Sequence, residues 1–287
     1  MTLGISTHVF LPQRLHPGLL DALAASGART IELFAARHHF DYTDRASVRE
    51  IAAWFRSNEV TPTMHQPLTA EQRWTRHTDP SLELISPEKS HRIEAMDEIK
   101  RALESAEQIP IASCVIHLGQ KHEVWSDRAL ENSLTAIEHL KAFASPLGVK
   151  LLLENLENEI TTPEHLLAIL RIGHFDRVGV CLDLGHANLS EMGIEGTFQL
   201  LKGRIMECHL HDNHGPDGPK PGSKDEHLWP GGGSIDWGRV YPMLAGLHPE
   251  TPGVLEIQYD LEETTEAVTK KAVEAFDQQK RVLEPTA

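Results

Sequence analysis

Seven short runs in this chain carry side chains that can ligate a metal or move a proton, almost all of them where an apolar strand-like stretch ends. The runs are TMHQP, CVIHLG, LLLENLE, VGVCLDLGH, MECHLHD, KDEHLWPGGG and GVLEIQY. They deliver His65, His117, Glu154, Asp183, His186, His209, Asp225, His227 and Glu256. A buried strand placed directly before a polar residue holds that residue at the strand's end. One such coincidence carries little weight, but repeated from residue 65 to residue 256 it implies one shared site.

Carboxylates and imidazoles together are hard and borderline donors, suited to Zn²⁺, Mn²⁺, Fe²⁺ or Mg²⁺. Asp183 and His186 in DLGH can face one cavity, or Asp183 can cap a following helix with His186 at the surface. Glu154 closes LLLE and Glu256 closes VLE, and a carboxylate after such a run is expensive to bury without a partner. The competing reading for Glu154 is a salt bridge. His209 and His211 in HLHD share one face of a strand. His209 is the preferred ligand, and His211 a supporting group or substrate contact. Asp225 and His227 form a D-x-H pair in a Gly- and Pro-rich loop that a bound metal would order. His65 and His117 each end a strand, where a lone histidine is as readily structural.

The elements that must position these residues alternate along the whole chain. Strands are expected at Leu3–Thr7, Thr30–Phe34, Thr61–His65, Ser113–His117, Lys150–Glu154, Val178–Asp183, Ile205–Leu210 and Val254–Ile257. Several are continuous apolar runs, as in parallel strands covered on both faces. Helices are expected at Pro17–Ser26, Asp44–Ser57, Pro87–Gln108, Ser126–Ala144, Pro163–Arg171, Ile194–Lys202, Trp237–Leu247 and Leu261–Val282, with Asp44 and Thr162 as N-caps. Eight βα units give a (β/α)₈ TIM barrel, class α/β, as one domain over residues 1–287. A doubly wound sheet would need a Gly-rich phosphate loop after its first strand, and Gly4–Pro12 offers none. Two long loops, Gln66–Ser86 with Trp74 and Asn213–Ser234, follow strands and therefore belong over the site. His8, His38 and His39 are candidates for the cavity mouth, and the charged run Arg92–Glu107 reads as a solvated helix face.

Composition narrows the partners. With 27 Lys+Arg against 42 Asp+Glu, the net charge is −15, which argues against nucleic acid. Cys114, Cys181 and Cys208 lie in apolar runs and read as buried thiols of a reducing compartment. The start MTLGISTHVF has no signal-peptide pattern, and no run approaches the ~20 apolar residues of a membrane span. The cytoplasm is the expected location, a small molecule the expected partner, and a homo-oligomer is compatible with the chain.

Taken in order, LLLENLE, CLDLGH, HLHDN, KDEHLWPGGGSIDW and VLEIQY resemble the xylose isomerase-like TIM barrels. That superfamily joins sugar isomerases and epimerases with abasic-site nucleases of the endonuclease IV type. The resemblance covers essentially the whole chain. On the isomerase side it implies a divalent metal on Glu154, Asp183, His209 and Glu256. The two glutamates then act as acid and base beside a carbonyl, His186 touches substrate, and the substrate is a sugar or sugar phosphate. On the nuclease side it implies a three-zinc cluster, with His65, His117, Glu154, Asp183, His186, His209, Asp225, His227 and Glu256 filling all nine ligand positions. The expected metal content is accordingly one to three ions per chain. The chain departs from the nuclease pattern at Glu226, which replaces an arginine, and in FAARHHFDYTD, which does not match the DNA-inserting loop. The isomerase or epimerase is the primary expectation and the phosphodiesterase the alternative. A non-catalytic sugar- or metal-binding barrel is the third, because fold alone does not fix function.

Overall fold

The computed structural model describes residues 1–75, 79–121, 123–218 and 225–283. Eight parallel strands close into a barrel in the order β1 to β8. They are β1 Thr2–Ser6, β2 Thr30–Phe34, β3 Thr61–His65, β4 Ser113–Ile116, β5 Lys150–Glu154, β6 Gly179–Asp183, β7 Ile205–Leu210 and β8 Pro252–Leu255. The first and last strands pair as well, through Gly4 with Val254 and Ile5 with Leu255, so the sheet has no edge. The (β/α)₈ expectation therefore holds.

The helices are α1 Pro17–Ala25, α2 Arg45–Ser57, α3 Lys89–Leu103, α4 Asp127–Ala144, α5 Pro163–Ile172, α6 Leu184–Leu189, α7 Gly193–Leu201, α8 Trp237–Leu244 and α9 Thr265–Leu283. Asp44 caps α2 by accepting from Ala46 N–H, and Thr162 caps α5 by accepting from His165 N–H. Among the described residues there is one α-helix more than the sequence pattern suggests. The extra one, α6, starts at the end of β6, where six residues are too few for an amphipathic signal. No helix of the described residues is long and apolar enough to cross a membrane.

Side chains alternate between the two faces of each strand. Outward residues such as Ile31, Leu33, Met64, Ile116, Leu153, Leu182 and Leu210 are buried in the main core under the helices. Cys114 and Cys208 belong to that layer, and all three cysteines are free and buried. Inside the barrel the apolar filling is thin: Val115, Leu152 and Cys181 form a small cluster of their own. The same interior level carries Glu32, Thr63 and Glu207, all buried and polar. One step further along each strand, at the C-terminal mouth, come the chemistry-bearing residues.

The expectation that Arg92–Glu107 is a solvated face fails at Glu98, which is only 2% exposed. Its carboxylate accepts from Arg37 at 2.6 and 2.6 Å, Tyr42 at 2.5 Å and Arg101 at 2.8 Å. This ion network ties the loop after β2 to α3. His39 is corrected too: it is wholly buried, with Nδ1 against Gln13 O, and does not line the mouth.

Candidate active site

Six residues at strand ends, His186 in α6 and the loop residues Asp225 and His227 converge at the C-terminal mouth of the barrel, where three groups of donor atoms take in all nine. Glu154, Asp183, His209 and Glu256 form the deepest, with one donor atom from each within 4.8 Å of the others. His65, His117 and Glu154 form the second, and His186, Asp225 and His227, joined by His211, the third. Glu154 belongs to the first two groups and its Oε1 lies 3.3 Å from His186 Nδ1, so the three share one wall.

The backbone fixes how several imidazoles face this space. His65 Nδ1 lies 2.8 Å from Gln66 O, His186 Nδ1 2.9 Å from Asn155 O, and His227 Nδ1 2.9 Å from Glu256 O. A carbonyl only accepts, so each Nδ1 carries the proton and donates, leaving the Nε2 lone pair for the site. Those Nε2 atoms meet other acceptors. His65 Nε2 sits 3.0 Å from His117 Nε2, while His186 Nε2 and His227 Nε2 each sit 3.2 Å from Asp225 Oδ2. In the deepest group His209 Nδ1 has carboxylate oxygens of Glu256, Glu154 and Asp183 at 2.9, 3.6 and 3.7 Å. It forms no hydrogen bond with acceptable geometry, and neither does Asp225 Oδ1, although both atoms are buried. Acceptors facing acceptors in a buried space need positive charge between them, and the N and O donors here are of the type that divalent metals take.

The titration behaviour has the same cause. Burial by itself would raise the Glu154, Glu256 and Asp225 carboxyls, but neighbouring imidazoles hold all three well below the usual range. Burial would likewise lower the imidazoles of His186 and His209, yet nearby negative charge raises both well above 6.5. For His227 the Asp225 carboxylate outweighs burial and lifts it to about 10. Protons supply the missing charge when nothing else does.

Asp183 realises both readings of its motif. It caps α6 by accepting from His186 N–H at 2.6 Å, and it also faces the deepest group. Asn155, one residue beyond β5, clamps it: Asn155 Nδ2 donates to Asp183 O at 2.9 Å, and Asp183 N–H donates to Asn155 Oδ1 at 2.9 Å. His211 supports the carboxylate directly, with Nε2 2.9 Å from Asp183 Oδ2 and 3.1 Å from Oδ1. The ring lies over Gly185, where a Cβ would come within 1.9 Å of His211 Cε1. The glycine of DLGH is therefore the seat of this histidine.

The Gly- and Pro-rich loop does fold inward and carries Asp225 and His227 to the mouth; residues 219–224 of it, and 76–78 of the other long loop, lie outside the described residues. Its order has a source that sequence reasoning missed. Asp212 accepts from Asn213 N–H, Ile235 N–H, Gly231 N–H and the Trp237 indole, at 2.9 to 3.1 Å. His227 itself sits at φ +46°, a left-handed conformation rare for a side chain of this size. It is pinned there by Glu256 O and by Gln258 N–H donating to its own carbonyl. Glu226 is turned to His214, accepting from its N–H and meeting its Nδ1 at 2.8 Å.

Above the three groups lies a cavity of about 310 Å³. His8, Phe34, Leu68 and Leu82 give it apolar and aromatic walls, and Gln66, Gln120 and Gln258 add neutral polar groups. His8, as expected, lies at the mouth, and burial lowers its pKa to about 4. Among the described residues lining the cavity the one Lys or Arg is Lys121, which is paired with Glu157 at 2.5 Å.

A family model described as xylose isomerase-like TIM barrel matches residues 20–279. An uncharacterised protein of Methanocaldococcus jannaschii is 27% identical over 267 residues, 90% of this chain and 83% of that protein. Among solved structures, a D-tagatose 3-epimerase-like protein superposes with a TM-score of 0.75 at 24% identity, over 99% of this chain and 97% of that one. The IolI protein with a bound zinc atom superposes with a TM-score of 0.79 at 19% identity, over 98% of both chains. At these identities the superpositions speak for the fold.

Proposed function

The chain belongs to the xylose isomerase-like TIM-barrel family, and from that membership we propose that it is a divalent-metal-dependent isomerase or epimerase of a sugar or sugar phosphate. The observation that carries the reading is the deepest group: two glutamates, Glu154 and Glu256, converge with Asp183 and His209 on one buried point beneath the cavity. These four would hold the ion, Zn²⁺, Mn²⁺, Fe²⁺ or Mg²⁺. Bound there, it would polarise a substrate carbonyl and acidify the adjacent C–H. Glu154 and Glu256 then divide the proton transfer: one takes the C–H proton and the other returns it, from the opposite face for epimerisation. His186, at the cavity wall, contacts a substrate hydroxyl. Phe34 and His8 cover apolar faces of the substrate, and the neutral amides satisfy its hydroxyls. The epimerase-like name of one structural neighbour and the bound zinc of another support this choice.

A second reading has its own observation. His65 and His117 with Glu154, and His186 and Asp225 with His227, are two further donor groups, as a three-metal phosphodiesterase would need. The cavity lining speaks against a nucleic-acid substrate, because its one described Lys or Arg is already paired, and gripping a phosphate backbone takes several free cations. The two readings separate in one experiment. Metal-loaded protein in deuterated water is given phosphorylated and unphosphorylated ketoses, and, separately, duplex DNA with an abasic site. The isomerase reading expects a new sugar, followed by NMR, with solvent deuterium at the carbon next to the carbonyl. Intact sugars together with salt-sensitive DNA incision, lost in Glu256→Gln, would replace it with the phosphodiesterase.

A further inference from the structure

Glu32 is a carboxylate in the middle of β2, wholly buried, inside a barrel whose interior is usually filled with branched hydrocarbon. Its Oε1 has no hydrogen-bond partner, which makes it a liability for stability. Its Oε2 lies 3.1 Å from His209 Nε2. That contact is unlike those of His65, His186 and His227, whose far nitrogens are held by backbone carbonyls. The far nitrogen of His209 meets a side chain from the opposite part of the sequence, and the nitrogen it turns to the site is Nδ1 instead of Nε2.

The geometry points to Glu32 as a positioning residue for His209. Accepting the Nε2–H fixes the ring's tautomer and rotation and presents the Nδ1 lone pair to Glu154, Asp183 and Glu256. A carboxylate is a stronger acceptor than a carbonyl and adds electron density to the imidazole, which strengthens its donation on the other side. Glu207 sits beside Glu32 and is itself held by Thr63 at 3.1 Å and Ser113 at 2.9 Å, so the floor beneath His209 is a polar shelf built from β2, β3, β4 and β7. This inference rests on the deepest group being a metal site.

The test is metal affinity measured with Zn²⁺ or Mn²⁺ in competition with a chelator, alongside thermal melting without metal. Glu32→Leu removes the acceptor and leaves His209 Nε2–H buried without it, so its melting temperature should fall together with an affinity loss of about 100-fold. Glu32→Gln keeps an acceptor oxygen but not the charge and should lose about 10-fold. Val115→Ala, in the small apolar cluster at the same interior level, should lower the melting temperature and leave affinity within about twofold. Affinity lost in Glu32→Gln at a melting temperature no lower than that of Val115→Ala, which keeps its affinity, is the signature that a packing role does not produce. Wild-type affinity in both Glu32 variants overturns the inference, and if Glu32→Leu fails to fold, Glu32→Gln alone decides it. Absence of metal binding by the wild type would instead overturn the reading of the site.

Discussion

Gly185→Ala is a substitution whose sign runs against local propensity. Gly185 lies in α6, outside the left-handed region, where alanine would ordinarily stabilise by about 1 kcal/mol. Here the added Cβ would stand 1.9 Å from His211 Cε1, 2.4 Å from Nδ1 and 2.6 Å from Nε2. Ordinary contact needs about 3.5 Å, so the ring has to retreat by roughly 1.5 Å. It has little room, because it is stacked on His227 at 3.8 Å and bonded to both oxygens of Asp183. Losing a bond to a charged acceptor costs about 1.5–3 kcal/mol and overpacking about 1–3 kcal/mol. Set against the helical gain, the net expectation is destabilisation by about 1.5–5 kcal/mol. Urea denaturation reads this as a lower midpoint at unchanged slope. The double variant with His211→Ala removes the ring that clashes, so the two changes should couple strongly instead of adding. A Gly185→Ala protein as stable as the wild type, or strict additivity in the double variant, would refute the claim that this glycine exists to seat His211.

Three further outcomes follow from the same contacts. Arg37→Met removes two bonds to buried Glu98 and should lower stability by about 3 kcal/mol at pH 7. Burial pushes the Glu98 carboxyl up, but Arg37 and Tyr42 outweigh it and hold it below its ordinary value. Its contribution is thus full above the unfolded carboxyl's pKa of about 4.3 and disappears as pH falls through the folded value. Urea melts at pH 7, 5 and 3 should show the gap between wild type and variant closing in acid, and a constant gap contradicts the assignment. Glu154→Gln and Asp183→Asn should each strip bound metal from the folded protein; full occupancy by elemental analysis in either would remove that residue from the ligand set. Asp212→Asn keeps one acceptor oxygen but takes the other from two of the four donors and should cost about 3 kcal/mol while exposing the loop at 213–218 and 225–234 to protease, so an unchanged cleavage rate would show that the loop is ordered by something else.

The mouth of the barrel was legible because two periodicities coincide there. A continuous apolar run marks a strand covered on both faces, and the polar residue that ends it points inward by the alternation of side chains. That reasoning reached His65, His117, Glu154, Asp183, His209 and Glu256 one strand at a time, while His186, Asp225 and His227 came from the short motifs D-x-x-H and D-x-H. What it could not reach depends on register between strands far apart in sequence. Glu32 meets His209 across 177 positions, and Asp212 gathers donors as far away as Trp237. A signal did exist for Glu32: TIELF carries a carboxylate within a buried run, the same feature that marked Glu154, but two residues short of the end. Glu98 left no such trace, since a charged helix with charged neighbours looks the same whether or not one carboxylate is turned inward to Arg37. His39 reads as an ordinary loop residue until β2 and the chain after β1 are brought together at Gln13.

The two functional readings turn on a property visible only in three dimensions. Backbone carbonyls hold the far nitrogens of His65, His186 and His227, so lone pairs point at lone pairs in the two outer groups as well as at the deepest one. Such a lattice of acceptors is satisfied by protons or by metal ions, and the two compete. An isomerase needs the ion only among Glu154, Asp183, His209 and Glu256, leaving the outer imidazoles protonated and free to donate to substrate hydroxyls. A phosphodiesterase needs the outer groups to give up their protons to metal. Neighbouring negative charge raises His227 in an outer group and His209 in the deepest group alike, so metal has to displace a proton in either place and acid should release it from both.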